Sequence, residues 1–355
     1  MDNIAHALVG AALGRVVADR KVPAAGWIGA IAGNAPDWSE LLWRPGGWAP
    51  RSGPAYLEYH RGVTHSFLGA AIEMAVLTGL VGLILHWRER GEGAPGPRWG
   101  WIAACVAVTV ASHLYLDWQG SYGLRPFLPW SGRWYYGDWV AIVDPFFWVV
   151  PLVALAWGAR RHWAPALAYL VTLGAVVTAV VVWPGRTIVL LWVRLAVIVL
   201  AAAGVVGWMR HWFGVAGRRR AAAYAVAGLA AYAAASGVAS RVVQAQIRAD
   251  AVRRFGPNAS WAALTVVGRP FHWDAIWASA DSVAGPSWAA PRHLDAPAVG
   301  RALATPEGRA IGQFARFLAA EVDSSDGGVR VYLRDARFRP TGRGGGWAAV
   351  EVRLR

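Results

Sequence analysis

Three short motifs gather the residues of this chain that can do chemistry. Asn34-Ala35-Pro36-Asp37 closes one apolar stretch, His60-Arg61-Gly62-Val63-Thr64-His65-Ser66 opens another, and His113-Leu114-Tyr115-Leu116-Asp117 closes a third. His113 and Asp117 stand at i and i+4, so on a helix they face the same way one turn apart. Tyr122-Gly123, Arg133, Asp138 and Asp144-Pro145 follow. Imidazoles and carboxylates converging at one depth suit a divalent metal ion, and this donor set favours Zn, with Mn or Fe as alternatives. An ion of that kind lowers the pKa of a coordinated water to about 7 and so provides a nucleophile at neutral pH. The expected ligands are Asp37, His60, His65, His113 and Asp117. Asp138 and Asp144 are expected to orient them or to act as general base. Arg61 and Arg133 are expected to hold an anionic group such as a phosphate or carboxylate.

The elements that must position these residues follow from the hydropathy pattern. The chain has 355 residues, 35 Lys+Arg against 21 Asp+Glu, a net charge of +14 and 56% hydrophobic residues. Only 16% of residues are charged, against roughly 25% in ordinary soluble domains, which excludes a disordered chain and disfavours a purely soluble one. The single Cys105 excludes an internal disulfide and any Cys-based zinc cluster. One bilayer-crossing helix needs about 20 apolar residues. Residues 66–85, 99–116, 139–157, 163–185, 187–209 and 221–240 meet that need with at most one Asp, Glu, Lys, Arg or His each. Two shorter apolar segments, 4–14 and 23–35, bring the total to about eight. The start, Met1-Asp2-Asn3, has no basic n-region, and no removable signal peptide is expected.

The expected fold is therefore an all-α polytopic membrane bundle over residues 1–240. After Ser240 the composition turns mixed and charged, with alternating strand patterns at 260–267, 329–333 and 347–354 and a helical pattern over 306–322. Residues 241–355 are expected to form a small extramembrane α+β domain.

Charge fixes the sides. If the first two segments both cross, the loops 15–22, 86–98, 158–162 and 209–220 share one face and carry twelve positive charges, against six on the other. The positive-inside rule makes the first face cytoplasmic and puts the C-terminal domain outside. All the motifs then fall at the extracytoplasmic end of the bundle, a clustering that randomly placed polar residues would not produce. Ionisable groups at membrane depth are costly and mark functional sites by default.

With its motifs in this order, the stretch 1–150 resembles the bacterial family of membrane-bound metal-dependent hydrolases of the YdjM type. The resemblance is carried by Met1-Asp2 with His6, Gly10 and Gly14, by Ala35-Pro36-Asp37, and by the His60 to Ser66 and His113 to Asp117 motifs. It continues through Tyr122-Gly123-Leu124-Arg125-Pro126-Phe127, Gly137-Asp138 and Asp144-Pro145. The tail motif Arg334-Asp335-Ala336-Arg337-Phe338 is similar to that of longer members. The chain departs from the pattern in two places. Ser39, followed by Glu40, stands where the family commonly has a second acidic residue, and Ala5-His6 replaces a Thr-His pair. The resemblance implies an integral inner-membrane protein with metal-dependent hydrolase activity.

The expected function is hydrolysis of an ester or phosphoester at the extracytoplasmic interface, on a lipid or another membrane-delivered substrate. Membrane lipids are the expected partners. Nucleic acid is not, because the arginines of the membrane part sit mostly in short loops. One alternative is a non-enzymatic membrane protein whose polar cluster holds helices together or binds a partner. A transporter is a weaker one, since Asp37, Asp117 and Asp138 gather at one end rather than near the midplane.

Overall fold

Asp2 starts the first helix: its carboxylate accepts from the backbone N–H groups of Ile4 and Ala5, both at 3.0 Å, and α1 runs over Asn3–Ala18. In the computed structural model the residues described are 1–42, 54–88, 96–159, 163–182, 188–212, 217–325, 328–338, 341–342 and 348–354. The chain turns back into α2 (Ala25–Leu42), and then come α3 (Pro54–Tyr59) and a 3-10 turn at Val63–His65. The helices α4 (Phe67–Arg88), α5 (Trp99–Trp118), α6 (Pro145–Ala159), α7 (Trp163–Val182), α8 (Leu191–Arg210) and α9 (Arg218–Phe255) complete the helical part. Among the described residues five helices, α4, α5, α7, α8 and α9, are long and apolar enough to cross a membrane.

The apolar run at 139–157, expected as a full span, becomes helical only at Pro145, and α6 has 15 residues. Proline fits a first helical turn, where its missing N–H costs nothing. Upstream the backbone is committed elsewhere: Asp138 takes φ 55°, and the Trp139 N–H donates to the Gln119 carbonyl at 2.7 Å. By contrast α9 outruns its expected bounds. Its 38 residues make a rod of about 57 Å, longer than a hydrocarbon core of about 30 Å. Its last turns pack Ile247 and Ala251 against Ala263, Trp273 and Trp277.

Although short, α1 lies at the centre of the helical part and packs against α2, α5, α6 and α9. Glycine makes this possible. A Cβ on Gly10 would sit 2.3 Å from the Gly29 carbonyl oxygen, and one on Gly29 would sit 2.1 Å from that of Gly10. Hence α1 and α2 meet backbone to backbone, and the end of α2 is drawn onto the inner helices.

The C-terminal region holds two antiparallel sheets. β1 (Ser260–Thr265), β2 (Trp273–Ala278), β3 (Ser282–Gly285) and β4 (Trp288–Pro291) form the first in sequence order. After α10 (Pro297–Leu303) and α11 (Pro306–Phe314), β5 (Leu318–Asp323), β6 (Val329–Asp335) and β7 (Ala349–Leu354) form the second. The helix expected over 306–322 thus stops at Phe314, where Ala315 turns extended (φ −67°, ψ 116°). Leu-Ala-Ala-Glu favours a helix locally, but pairing with β6 from Leu318↔Asp335 to Asp323↔Arg330 overrides that preference.

This region does not stand apart from the helices. Leu57, Tyr122 and Trp134 share one buried cluster with Ile311, Phe314, Val331, Leu333, Val350 and Val352. Arg337, wholly buried, donates to Asp335 Oδ2 at 2.7 Å and to the Ser121 carbonyl at 2.7 Å. Arg316 donates to Asp138 Oδ2 at 2.9 Å. Two arginines therefore clamp the tail onto the loop that follows α5.

Candidate metal centre

Four side chains from three places in the chain meet in one largely buried group: Asp37 from α2, His65 from the 3-10 turn, and His113 and Asp117 from the last turns of α5. Their facing atoms all lie within 4.8 Å of one another. His65 Nε2 lies 3.1 Å from His113 Nε2, 3.2 Å from Asp37 Oδ1 and 3.4 Å from Asp117 Oδ2. His113 Nε2 lies 3.7 Å from Asp37 Oδ1 and 3.6 Å from Asp117 Oδ2. Four N and O ligands at about 2.0–2.1 Å from a tetrahedral zinc ion stand about 3.3–3.4 Å from one another. The distances from His65 and His113, 3.1–3.7 Å, bracket that spacing.

The surrounding bonds aim the imidazoles. His113 Nδ1 faces the Gly33 carbonyl at 2.7 Å, so the proton is on Nδ1 and the Nε2 lone pair points into the group. Thr64 donates its hydroxyl to the Pro36 carbonyl at 3.0 Å, which leaves an oxygen lone pair to accept from His65 Nδ1 at 3.2 Å. Two Nε2 atoms and two carboxylate oxygens then share one centre, which could hold a metal ion. Burial opposes a charge on His65, but the Asp117 and Asp37 carboxylates outweigh it and push its pKa up to about 9. A proton on His65 and a metal ion would compete for this centre, and uptake of an ion would release the proton.

The two oxygens of Asp117 divide their work. Oδ2 faces the histidines, while Oδ1 accepts from Arg61 Nη2 at 2.7 Å, stands 3.2 Å from His6 Nε2 and meets the Met1 ammonium. Arg61 also donates to the Gly123 carbonyl at 2.7 Å and lies 4.7 Å over the Tyr122 ring. His6 stacks on His113 at 3.7 Å between centroids. Carbonyl, hydroxyl and cation partners of this kind fix ligand orientation around a metal.

The other expected site residues lie elsewhere. His60 is outside the group, with its ring stacked on Tyr56 at 4.5 Å and edge-on to Tyr122 at 4.9 Å. Arg61 grips Asp117 and so is occupied, whereas Arg133 is exposed beside the Tyr135 ring at 5.4 Å. Asp138 clamps Arg316, and Asp144 caps α6 through the Phe146 N–H at 2.9 Å while accepting from the Tyr232 hydroxyl at 2.6 Å. The side chain of Glu40, beside Ser39 in the departure from the family pattern, lies outside the described residues. Sequence reasoning missed Thr64, the Gly33 carbonyl and the Met1 ammonium. Only Thr64 carried a signal, as the hydroxyl inside the His60 to Ser66 motif.

This placement separates two histidines five residues apart. His60→Ala should leave the metal content of the purified protein unchanged, while His65→Ala should lower it at least about tenfold, both read by elemental mass spectrometry. Equal losses in the two variants would contradict the placement.

A family model described as YdjM inner membrane protein matches residues 1–243. No curated protein and no solved structure matches the chain.

Proposed function

The chain belongs to the YdjM inner membrane protein family, and from that premise we propose that it is a metal-dependent hydrolase of an ester or phosphoester bond at the extracytoplasmic interface. The observation that carries this reading is the convergence of Asp37 Oδ1, His65 Nε2, His113 Nε2 and Asp117 Oδ2 within 4.8 Å of one another. These four residues would hold the ion, with zinc favoured by the donor set and Mn or Fe as alternatives. An ion held here with one coordination position left open would polarise the substrate oxygen and lower the pKa of a water to about 7. Gly33 and Thr64 keep both Nε2 atoms turned inward, and Arg61 and His6 keep Asp117 from swinging away. The twelve-charge loop face lies in the cytoplasm in this reading, which puts the site and the C-terminal region on the far side. A lipid or another membrane-delivered molecule is the natural substrate of a site buried among spans.

The ion pair between Arg61 and Asp117 favours a second reading, in which the cluster only ties α1, α2, α5 and the 3-10 turn together. Metal-dependent turnover separates the two. The purified protein should hydrolyse at least one member of a panel of lipid esters and phosphoesters. Chelation should abolish that turnover, and added Zn or Mn should restore it. A protein that retains one equivalent of metal yet turns over no member of the panel would favour the structural reading.

A further inference from the structure

Of the four candidate ligands only Asp37 keeps appreciable exposure. Arg61, Tyr122 and Phe314 stack in that order above Asp117, with Arg61 4.7 Å from the Tyr122 ring centroid and the Tyr122 and Phe314 rings 5.1 Å apart. His6 of α1 covers His113, and Gly33 of α2 abuts it. His65, His113 and Asp117 are at most 1% exposed, whereas the Asp37 side chain is 14% exposed. What flanks Asp37 is apolar: Ile31 and Trp38 on α2, and Val63 and Phe67 at the head of α4, are all more than two-fifths exposed. α4 packs chiefly on α5 and only lightly on α2. In a chain that crosses the membrane, the gap between α2 and α4 opens to lipid.

Two buried oxygens on these two helices lack a hydrogen-bond partner among the described residues: Asn34 Oδ1 on α2 and Glu73 Oε2 on α4. Asn34 Nδ2 donates to the Ala30 carbonyl at 3.4 Å, which fixes the amide so that its oxygen is the end left over. Side chains on a helix lean toward its N-terminus, so Glu73 leans back toward His65 and interacts electrostatically with His65 and Asp37. A carboxylate oxygen left unpaired at membrane depth is costly, and Glu73 is the only acid in its span. The Asn34 amide oxygen can only accept, so what satisfies it must donate.

We propose that the substrate is a glycerophospholipid whose head group carries N–H or O–H donors, that it enters sideways between α2 and α4, and that Asn34 and Glu73 read its head. This rests on the hydrolase reading for the bond cleaved, but not for the binding site. A choline head has no such donor and is disfavoured.

The test uses the full chain in lipid nanodiscs, with phosphatidylethanolamine, phosphatidylglycerol and phosphatidylcholine probes that carry a photoactivatable diazirine near the glycerol. Cross-linked peptides are mapped by mass spectrometry. The ethanolamine or the glycerol probe should label residues 31–38 and 63–76 roughly tenfold more than the choline probe, the difference expected when a buried acceptor is either satisfied or left unpaired. Preference for one of the two tells an amine reader from a polyol reader. Labelling of α7 should be the same for all three probes. Asn34→Leu with Glu73→Leu should erase the preference in the gap, leaving α7 labelling and metal content as they were. Equal labelling of the gap by all three probes would overturn the proposal, even if a water-soluble phosphoester were hydrolysed. A head-group preference without turnover of any lipid would uphold the binding site and sink the hydrolase reading.

Discussion

Asp117→Ala should cost the protein both its ion and much of its stability. The carboxylate is 1% exposed and answers to Arg61, His6, His65, His113 and the Met1 ammonium at once. Its removal leaves Arg61 buried, 3% exposed, with its charge partner gone. Breaking one side of a buried ion pair in this way costs about 3–5 kcal/mol. The expected result is a large drop in melting temperature in detergent, together with metal content near zero. Asp117→Asn separates the two losses. An amide keeps the shape and a carbonyl oxygen for Arg61, so more of the stability should survive while the ion is still lost. An alanine variant that melts like wild type would mean that Asp117 is not the hub of the cluster.

The second large effect is expected far from any ligand. Gly29→Val puts carbon atoms where the Gly10 carbonyl oxygen sits, 2.1 Å from the position of a Cβ, and that neighbour is backbone. α1 and α2 must separate, at a cost of about 3 kcal/mol or more for overpacking that no rotamer relieves. Because α2 brings Gly33 and Asp37 to the site and α1 brings His6, the metal should be lost along with the packing. Gly79→Val is the control: a Cβ there meets nothing within 4 Å, so the variant should melt and bind metal like wild type. Equal melting of the two variants would show that the backbone contact does not control the site.

How far the sequence foretells the site differs from motif to motif. His113 and Asp117 were legible because a helix converts the i, i+4 spacing into one face, and α5 is a regular helix. Asp37 was legible as the end of an apolar run. His60 and His65 could not be told apart, because the chain between them follows no helical period: Arg61 takes φ 51° before the 3-10 turn, and that left-handed step sends the two rings to different neighbours. Asp138 and Asp144 looked like site residues by depth alone. Their partners, Arg316 and Tyr232, come from 178 and 88 residues away and left no local trace.

The fold divides in the same way. The long apolar helices were set by hydropathy, and the alternating strands β6 and β7 by their period. The full span expected at 139–157 and the helix expected at 315–322 failed where tertiary partners decided the backbone. Residues 139–144 are bound to the end of α5, and β5 is paired along β6. Propensity carries no information about either partner.

The central claim is that Asp37, His65, His113 and Asp117 bind one metal ion. The most direct measurement is elemental mass spectrometry of the full-length protein purified in detergent without added metal, beside His113→Ala prepared in the same way. About one equivalent of a divalent transition metal in the wild type, lost in the variant while its helical circular dichroism is kept, is the predicted result. A well-folded wild type that holds no metal, even after reloading with Zn and Mn, would contradict it.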